Sequence, residues 1–183
     1  MINEERQARP HSTYGAAKLA IDSMVQTRWR EANCPAMALR QFNCVGERDV
    51  LHPYVVPEIY RQLREGDVVF LGNNSSRDFM YVGDAARIAV ELLEKGKPGE
   101  VYNLGSQASI KIYDLARLVG IFMGKDVFVE EDYRRKRKWE IWNLQADNSK
   151  IYSVVDFRPK VGLELAIKRT IEYYKKNEDK WAF

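Results

Sequence analysis

Tyr14 and Lys18 lie four positions apart in the stretch HSTYGAAKLA. On a helix that spacing stacks two side chains on one face, about one turn apart. A free phenol titrates near ~10 and is a poor base at neutral pH. A neighbouring ammonium favours the phenolate and lowers that value. A tyrosine tuned in this way can take the proton of a sugar hydroxyl while hydride leaves the same carbon. The lysine can also hold a ribose by hydrogen bonds. The Y-x-x-x-K spacing alone occurs in many helices, where it is a plain surface pair.

A second group of residues could hold an anion. Arg77, in SSRDF, offers a planar donor fork suited to phosphate oxygens. Its alternative is an ion pair with a neighbour such as Asp78. The run YRRKRKWE, residues 133–140, is strongly basic and is interleaved with Tyr133, Trp139 and Trp142. It reads as a solvated charged face or as a stacking, basic surface for nucleic acid. Asn43, in RQFN, could be a ligand or a turn former. Metal chemistry has little to work with. His11 and His52 are the only histidines, and Cys34 and Cys44 have no metal-type spacing. Neither a zinc site nor a disulfide scaffold is expected.

These side chains need elements to position them. A helix is predicted over 13–32, capped by Ser12 or Thr13, with an apolar stripe of Ala17, Ile21, Met24 and Val25. Pro35 ends it, and a buried strand follows over 36–42. A helix over 54–65 stops at Gly66. Strands are predicted for DVVFLG and RDFMYV, separated by the turn NNSS. Asp84 is placed as the cap of a helix over 85–95. EVYNLG is a strand, Ile112 to Met123 a helix, and DVFVEED an extended segment. A last helix covers 163–176. Asp147 and Asn148 cap or brace the helix that follows them. Strands and helices therefore alternate, which predicts an α/β fold.

Bulk properties fit a globular chain. Hydrophobic residues make up 45% and charged residues 30% of 183 residues. The net charge of +3 is too mild to demand a polyanion partner. No apolar run reaches the roughly 18 residues of a membrane span. The polar start MINEERQARP is not a secretory signal, so a cytoplasmic location is expected. The eleven glycines are scattered singly. No G-x-G-x-x-G or G-x-x-G-x-x-G is present, although such a turn normally opens a dinucleotide-binding sheet.

The ordered series HSTYGAAKLAIDSMV, ALRQFNCVGERD, VVPEIYRQLREG, SSRDFMYVGDAARIAV, EVYNLGS and LQADNSKIYSVVDFRPKVGLELAIKRTIEYY resembles the C-terminal half of the extended short-chain dehydrogenase/reductases. More narrowly, it resembles their NAD-dependent sugar-nucleotide epimerases and dehydratases. The likeness runs from about Pro10 to Tyr174. It implies the C-terminal portion of a Rossmann-like doubly wound sheet plus a small α/β substrate-binding lobe. Residues 10–53 and 76–105 would lie on the cofactor side, and 54–75 and 106–176 in the lobe.

The resemblance also implies roles. Tyr14 would be the catalytic base, and Lys18 would lower its pKa and bind the nicotinamide ribose. Phe42 would pass the nicotinamide. Asn43 would contact the sugar nucleotide near its phosphates, Val56 would border its pocket, and Arg77 would pair with the diphosphate. Arg135 or Arg137 would be a second diphosphate ligand, and Glu140 the acid that grips the nucleotide ribose. The proline that usually follows that arginine is absent, which leaves both arginines open. The loop GNNSSRD departs from the commoner G-D-G-x-x-x-R-D form. It is one residue shorter, with Asn73 and Asn74 at the Asp and Gly positions.

The family's Gly-rich N-terminal half is expected upstream of Met1, together with the Ser or Thr that holds the substrate hydroxyl. Tight NAD binding and turnover by this chain alone are therefore not expected. A homodimer or a complementing N-terminal half is the expected partner, with a nucleotide-diphosphate sugar as substrate, UDP-glucose 4-epimerase-like in kind. The alternatives are a non-catalytic nucleotide-sugar-binding remnant and a basic nucleic-acid-binding module. No membrane partner is expected.

Overall fold

A computed structural model describes residues 1–49 and 54–178; His52 falls outside them. Helix α1 spans Thr13–Ala32. The Ser12 hydroxyl accepts the Gly15 amide at 3.0 Å and so meets one of the donors left open at a helix start. Asn33 closes the helix in the left-handed region, at φ 49°.

The single strand predicted over 36–42 is two strands, β1 (Ala38–Gln41) and β2 (Asn43–Val45). Strand β1 pairs in parallel with β5 (Val101–Leu104). The Phe42 amide donates the last bond of that ladder, to the Leu104 carbonyl at 2.8 Å. The chain then changes partner, and β2 pairs in parallel with β4 (Ser76–Tyr81). Strand β4 is the hub. Its first half also pairs antiparallel with β6 (Ser109–Lys111) and in parallel with β8 (Asn143–Leu144). A third small sheet pairs β3 (Val68–Leu71) with β7 (Phe128–Glu131).

The remaining helices are α2 (Val55–Glu65), α3 (Val82–Lys95), α4 (Ile112–Met123), α5 (Ser149–Tyr152) and α6 (Leu163–Lys176). Two apolar cores result. One gathers Ile59 and Leu63 of α2, Val69 of β3, Leu115 and Val119 of α4, and Ile167 and Ile171 of α6. The other gathers Ile88 and Leu92 of α3, Tyr102 and Leu104 of β5, and Ile151 and Val155 near α5. Consecutive strand residues point to opposite faces. On β4, Phe79 accordingly joins the first core and Met80 the second.

Two local expectations are corrected. Helix α3 starts at Val82, so Asp84 sits in its first turn rather than at its cap. Its buried carboxylate accepts the Lys160 and Val161 amides, both at 2.8 Å, and thereby ties α3 to the chain before α6. Helix α1 does not bury the stripe predicted for it. No residue of α1 is fully buried, and Ile21 and Met24 are 50% and 64% exposed. The inward face carries Leu19, Asp22, Val25 and Trp29, all half-buried. On that face Asp22 accepts from Arg40 of β1 at 2.7 Å, and of the predicted stripe only Val25 turns inward.

Candidate functional site

The tyrosine–lysine pair sits at the start of α1, one turn apart. The Lys18 ammonium lies 5.5 Å from the centroid of the Tyr14 ring. Tyr14 is 73% exposed, and one side of it faces a cavity of about 620 Å³. The same cavity is lined by Phe42, Asn43, Val56, Phe79 and Leu144. Phe42 is there because the chain switches sheets at that residue. The Asn43 amide donates to the Asp78 carbonyl at 3.0 Å, which holds the start of β2 against β4. Val56 is buried in the first turn of α2. Four residues singled out from sequence, Tyr14, Phe42, Asn43 and Val56, thus share one cavity.

The far end of that wall carries an unanticipated acid. Asp49 also lines the cavity, and burial pushes its carboxyl up to about 6. Burial likewise pushes the Cys44 thiol up to about 11, with the Asp49 charge adding to the effect. Cys44 is therefore an inert thiol at neutral pH.

Arg77 lies on β4, beside Leu144 in the β4–β8 register and two residues before Phe79. Residues two apart share a strand face. Arg77 does not itself line the cavity, although its neighbours Phe79 and Leu144 do. Its guanidinium is already engaged. It forms an ion pair with Glu140, and the two side chains are only 12% and 9% exposed. Nη1 donates to the Ile141 carbonyl at 2.6 Å and to the Ser76 carbonyl at 2.9 Å. Glu140 also accepts from the Asn73 amide at 2.5 Å and from the Ile141 N–H at 3.0 Å. Asp78 is not the partner of Arg77. It is fully buried and accepts from the Ser106 hydroxyl at 2.7 Å, the Ser106 amide at 2.5 Å, the Gln107 amide at 3.1 Å and the Ala146 amide at 3.0 Å.

The basic run divides. Arg135, in the 3-10 turn Tyr133–Arg135, reaches Glu58 of α2 at 2.8 Å. Arg134 pairs with Asp132 at 3.0 Å, and Lys136 with Glu131 at 3.0 Å. Arg137 and Lys138 are exposed and in no ion pair among the described residues. Three of the five cations are thus spent within the fold, which weakens the case for a nucleic-acid face. The aromatics of the run do stand out: Tyr133, Trp139 and Trp142 are more than half exposed. Trp139 stacks on His11, with ring centroids 5.4 Å apart.

Glu58 and Asn73 carry these contacts. In the sequence Asn73 stands out only as a departure in the GNNSSRD loop, and Glu58 only by its i, i+3 spacing from Arg61. Asn148 stands at the N-cap position of α5 without a side-chain capping bond; its side chain instead bonds the Gly105 amide and carbonyl at 3.1 and 2.6 Å. Among the described residues no helix is long and apolar enough to cross a membrane, and no cluster of three metal-binding side chains occurs.

Residues 2–105 match the profile of the NAD dependent epimerase/dehydratase family. The human dTDP-D-glucose 4,6-dehydratase is 28% identical over 191 residues, an alignment covering 98% of this chain and 53% of the relative. An Escherichia coli dTDP-glucose 4,6-dehydratase is 26% identical, over 99% of this chain and 53% of its own length. The chain spans about half the length of the curated relatives it matches. Among solved structures, a UDP-glucose 4-epimerase with UDP-glucose from Thermotoga maritima superposes with a TM-score of 0.83. It is 29% identical and covers 93% of this chain and 55% of that one. A dTDP-glucose 4,6-dehydratase from Bacillus anthracis in complex with NAD superposes with a TM-score of 0.86 at 24% identity, over 98% and 57% of the two chains. The α/β fold is that of these Rossmann-type enzymes.

Proposed function

The chain belongs to the NAD dependent epimerase/dehydratase family, and on that premise we propose that it is the substrate-binding and Tyr14–Lys18 portion of an enzyme acting on a nucleotide-diphosphate sugar, UDP-glucose 4-epimerase-like in kind. The observation that carries this reading is the single cavity in which Tyr14 and Phe42 meet Asn43 and Val56. A base, an aromatic wall and a sugar-nucleotide wall stand around one volume large enough for a small ligand.

In this reading the 10–53 and 76–105 stretches form the cofactor side, and 54–75 with 106–176 the substrate side. Tyr14 removes the proton of a sugar hydroxyl, with the Lys18 ammonium one helical turn away. Lys18 also holds the nicotinamide ribose. Arg77 takes the diphosphate, with Asn43 beside it and Val56 against the sugar. Glu140 accepts nucleotide ribose hydroxyls. Arg137, like Lys138, is in no ion pair among the described residues, whereas Arg135 becomes available to a diphosphate only by leaving Glu58.

The family is NAD-dependent. Tyr14, Lys18 and Phe42 fit the nicotinamide and its ribose, since a phenol and a ring line the cavity and the Lys18 ammonium lies 5.5 Å from the centre of that phenol ring. Bound there, NAD supplies a hydride acceptor. Among the described residues no glycine-rich helix start offers a seat for the dinucleotide's pyrophosphate. That end is held by groups of a second copy or of a complementing cofactor-binding half, and the complete enzyme works in the cytoplasm.

Parallel calorimetric titrations with UDP-glucose and NAD test this reading. The expected result is a one-to-one heat with UDP-glucose that Arg77→Ala removes, and no heat with NAD alone. Absence of any UDP-glucose binding overturns the proposal. Micromolar NAD binding by the chain alone overturns the division between its two sides.

A further inference from the structure

Arg77 is the cation assigned to the ligand's diphosphate, yet its guanidinium is occupied. We infer that Glu140 is a built-in stand-in for that diphosphate: it occupies Arg77 until the ligand exchanges with it. The freed carboxylate then accepts ribose hydroxyls of the same ligand. This deepens the reading given above and rests on its assignment of Arg77.

Three observations carry it. First, the pair is about nine-tenths buried on both sides, so the single positive charge of Arg77 is neutralised where water screens poorly. A diphosphate cannot add to that pair without meeting the Glu140 carboxylate; it has to replace it. A carboxylate and a phosphate present similar oxygen pairs to the same donor fork, so the exchange conserves charge-assisted bonds.

Second, Glu140 is held from its other side. The Asn73 amide donates to it at 2.5 Å, and the Asn73 carbonyl oxygen accepts the Ser75 amide at 2.9 Å. The Asn73 amide can donate here, whereas an ionised aspartate at position 73 would repel Glu140. The departure in the GNNSSRD loop thus supplies the second clasp of the closed state.

Third, the segment bearing Glu140 is placed to report its movement. Trp139, the preceding residue, is 62% exposed and stacks on His11. His11 immediately precedes Ser12, whose hydroxyl caps the Tyr14 helix. Release of Glu140 therefore disturbs a stack that ends at the base of the proposed catalytic helix.

A protein whose binding-competent state is a minor one loses apparent affinity in proportion to that population. Removing the carboxylate should restore it. The test uses inorganic pyrophosphate and UDP-glucose, titrated calorimetrically into the wild-type chain, Glu140→Gln and the double variant Arg77→Gln/Glu140→Gln, with Trp139 fluorescence followed in parallel. The expected result is pyrophosphate binding about tenfold tighter in Glu140→Gln than in wild type, with the gain absent from the double variant. For UDP-glucose the gain is smaller, because the glutamine is a weaker acceptor for ribose hydroxyls. Binding in the wild type should change the tryptophan emission, and the change should be absent in Trp139→Phe; emission that does not change on binding counts against the exchange.

Pyrophosphate affinity in Glu140→Gln that equals or falls below wild type overturns the exchange. If Glu140→Gln fails to fold, Glu140→Asp, with a shorter reach to Arg77, must show the same direction of change, and its failure to do so is equally fatal. Failure of the parent reading looks different: pyrophosphate follows the expected order while no variant binds UDP-glucose.

Discussion

Arg135 and Glu58, 77 residues apart in sequence, are joined by a hydrogen-bonded ion pair of 2.8 Å that pins the 3-10 turn after β7 to helix α2. Glu58 is almost fully buried and accepts as well from Arg61, at 3.0 and 3.1 Å, and from Gln62 at 2.9 Å. Burial alone would push this carboxyl up. The bonds from Arg61 and Arg135 outweigh it and hold the group down at about 2.

A carboxylate held low contributes stability above its ordinary pKa of 4.5 and loses it as pH falls towards about 2. Replacing Glu58 by Gln should cost about 3 kcal/mol near pH 7, since two arginines lose a buried charge partner. Urea unfolding at pH 7, 4 and 3 checks the sign: the gap to wild type must narrow as the pH is lowered through that window. A gap that stays constant would show that the charge contributes nothing.

Asp49 makes the opposite prediction. Its carboxyl is pushed up to about 6 by burial, so the protonated form favours the folded chain. The stability tied to it is complete below 3.8 and is lost as pH rises through about 6. Asp49→Asn should therefore melt above wild type at pH 8, with the advantage vanishing at pH 4. Thermal unfolding by circular dichroism at the two pH values decides the matter, and a variant that melts lower at pH 8 contradicts it.

Asp78 holds four donors from two separate segments, 106–107 and 146, and is fully buried. Asp78→Ala should destabilise by about 3 kcal/mol or more, because several buried N–H groups lose their acceptor at once. Its neighbour Arg77 differs in kind: Arg77→Gln/Glu140→Gln, which removes both charges of the buried pair together, should leave the unfolding midpoint far closer to wild type while removing anion binding. Denaturant melts of both variants, read beside pyrophosphate titrations, separate the structural residue from the binding one.

Tyr14 is mostly exposed and makes no described bond that the fold needs. Tyr14→Phe should shift stability by less than about 0.5 kcal/mol. In the assembled enzyme with its cofactor it should cut turnover by about 10²–10⁴, the range for loss of a positioned base. A variant with full turnover would remove Tyr14 from the chemistry.

Gly99 adopts φ +79°, and a Cβ built on it would lie 2.3 Å from the Trp29 ring. Gly99→Ala should cost about 1 kcal/mol or more, since alanine is strained at positive φ. The intrinsic fluorescence of Trp29 should shift with it. An unchanged melting point and spectrum would mean that α1 does not rest on this turn.

The sequence by itself determined the parts whose physics is local. The 3.6-residue period and the flanking glycines placed α4 at Ile112–Met123 and α6 at Leu163–Lys176, as found. The same period put Tyr14 and Lys18 a turn apart, because that separation follows from helix geometry alone. Apolar runs located β3, β4 and β5 to within a residue or two. What tertiary structure decided depended on partners distant in the chain. The strand over 36–42 broke at Phe42 because β5 and β4 compete for successive residues, and that break puts Phe42 in the cavity with Tyr14. The inward face of α1 carries the Arg40–Asp22 ion pair beside Leu19, Val25 and Trp29, and of the predicted stripe only Val25 is on it. Asp84 left its cap for the amides of 160–161. Arg135 went to Glu58, and Arg77 to Glu140. Ion pairs and sheet partners of this kind leave no periodic trace in a sequence, because each half is fixed by a segment that folds elsewhere and meets it only in three dimensions.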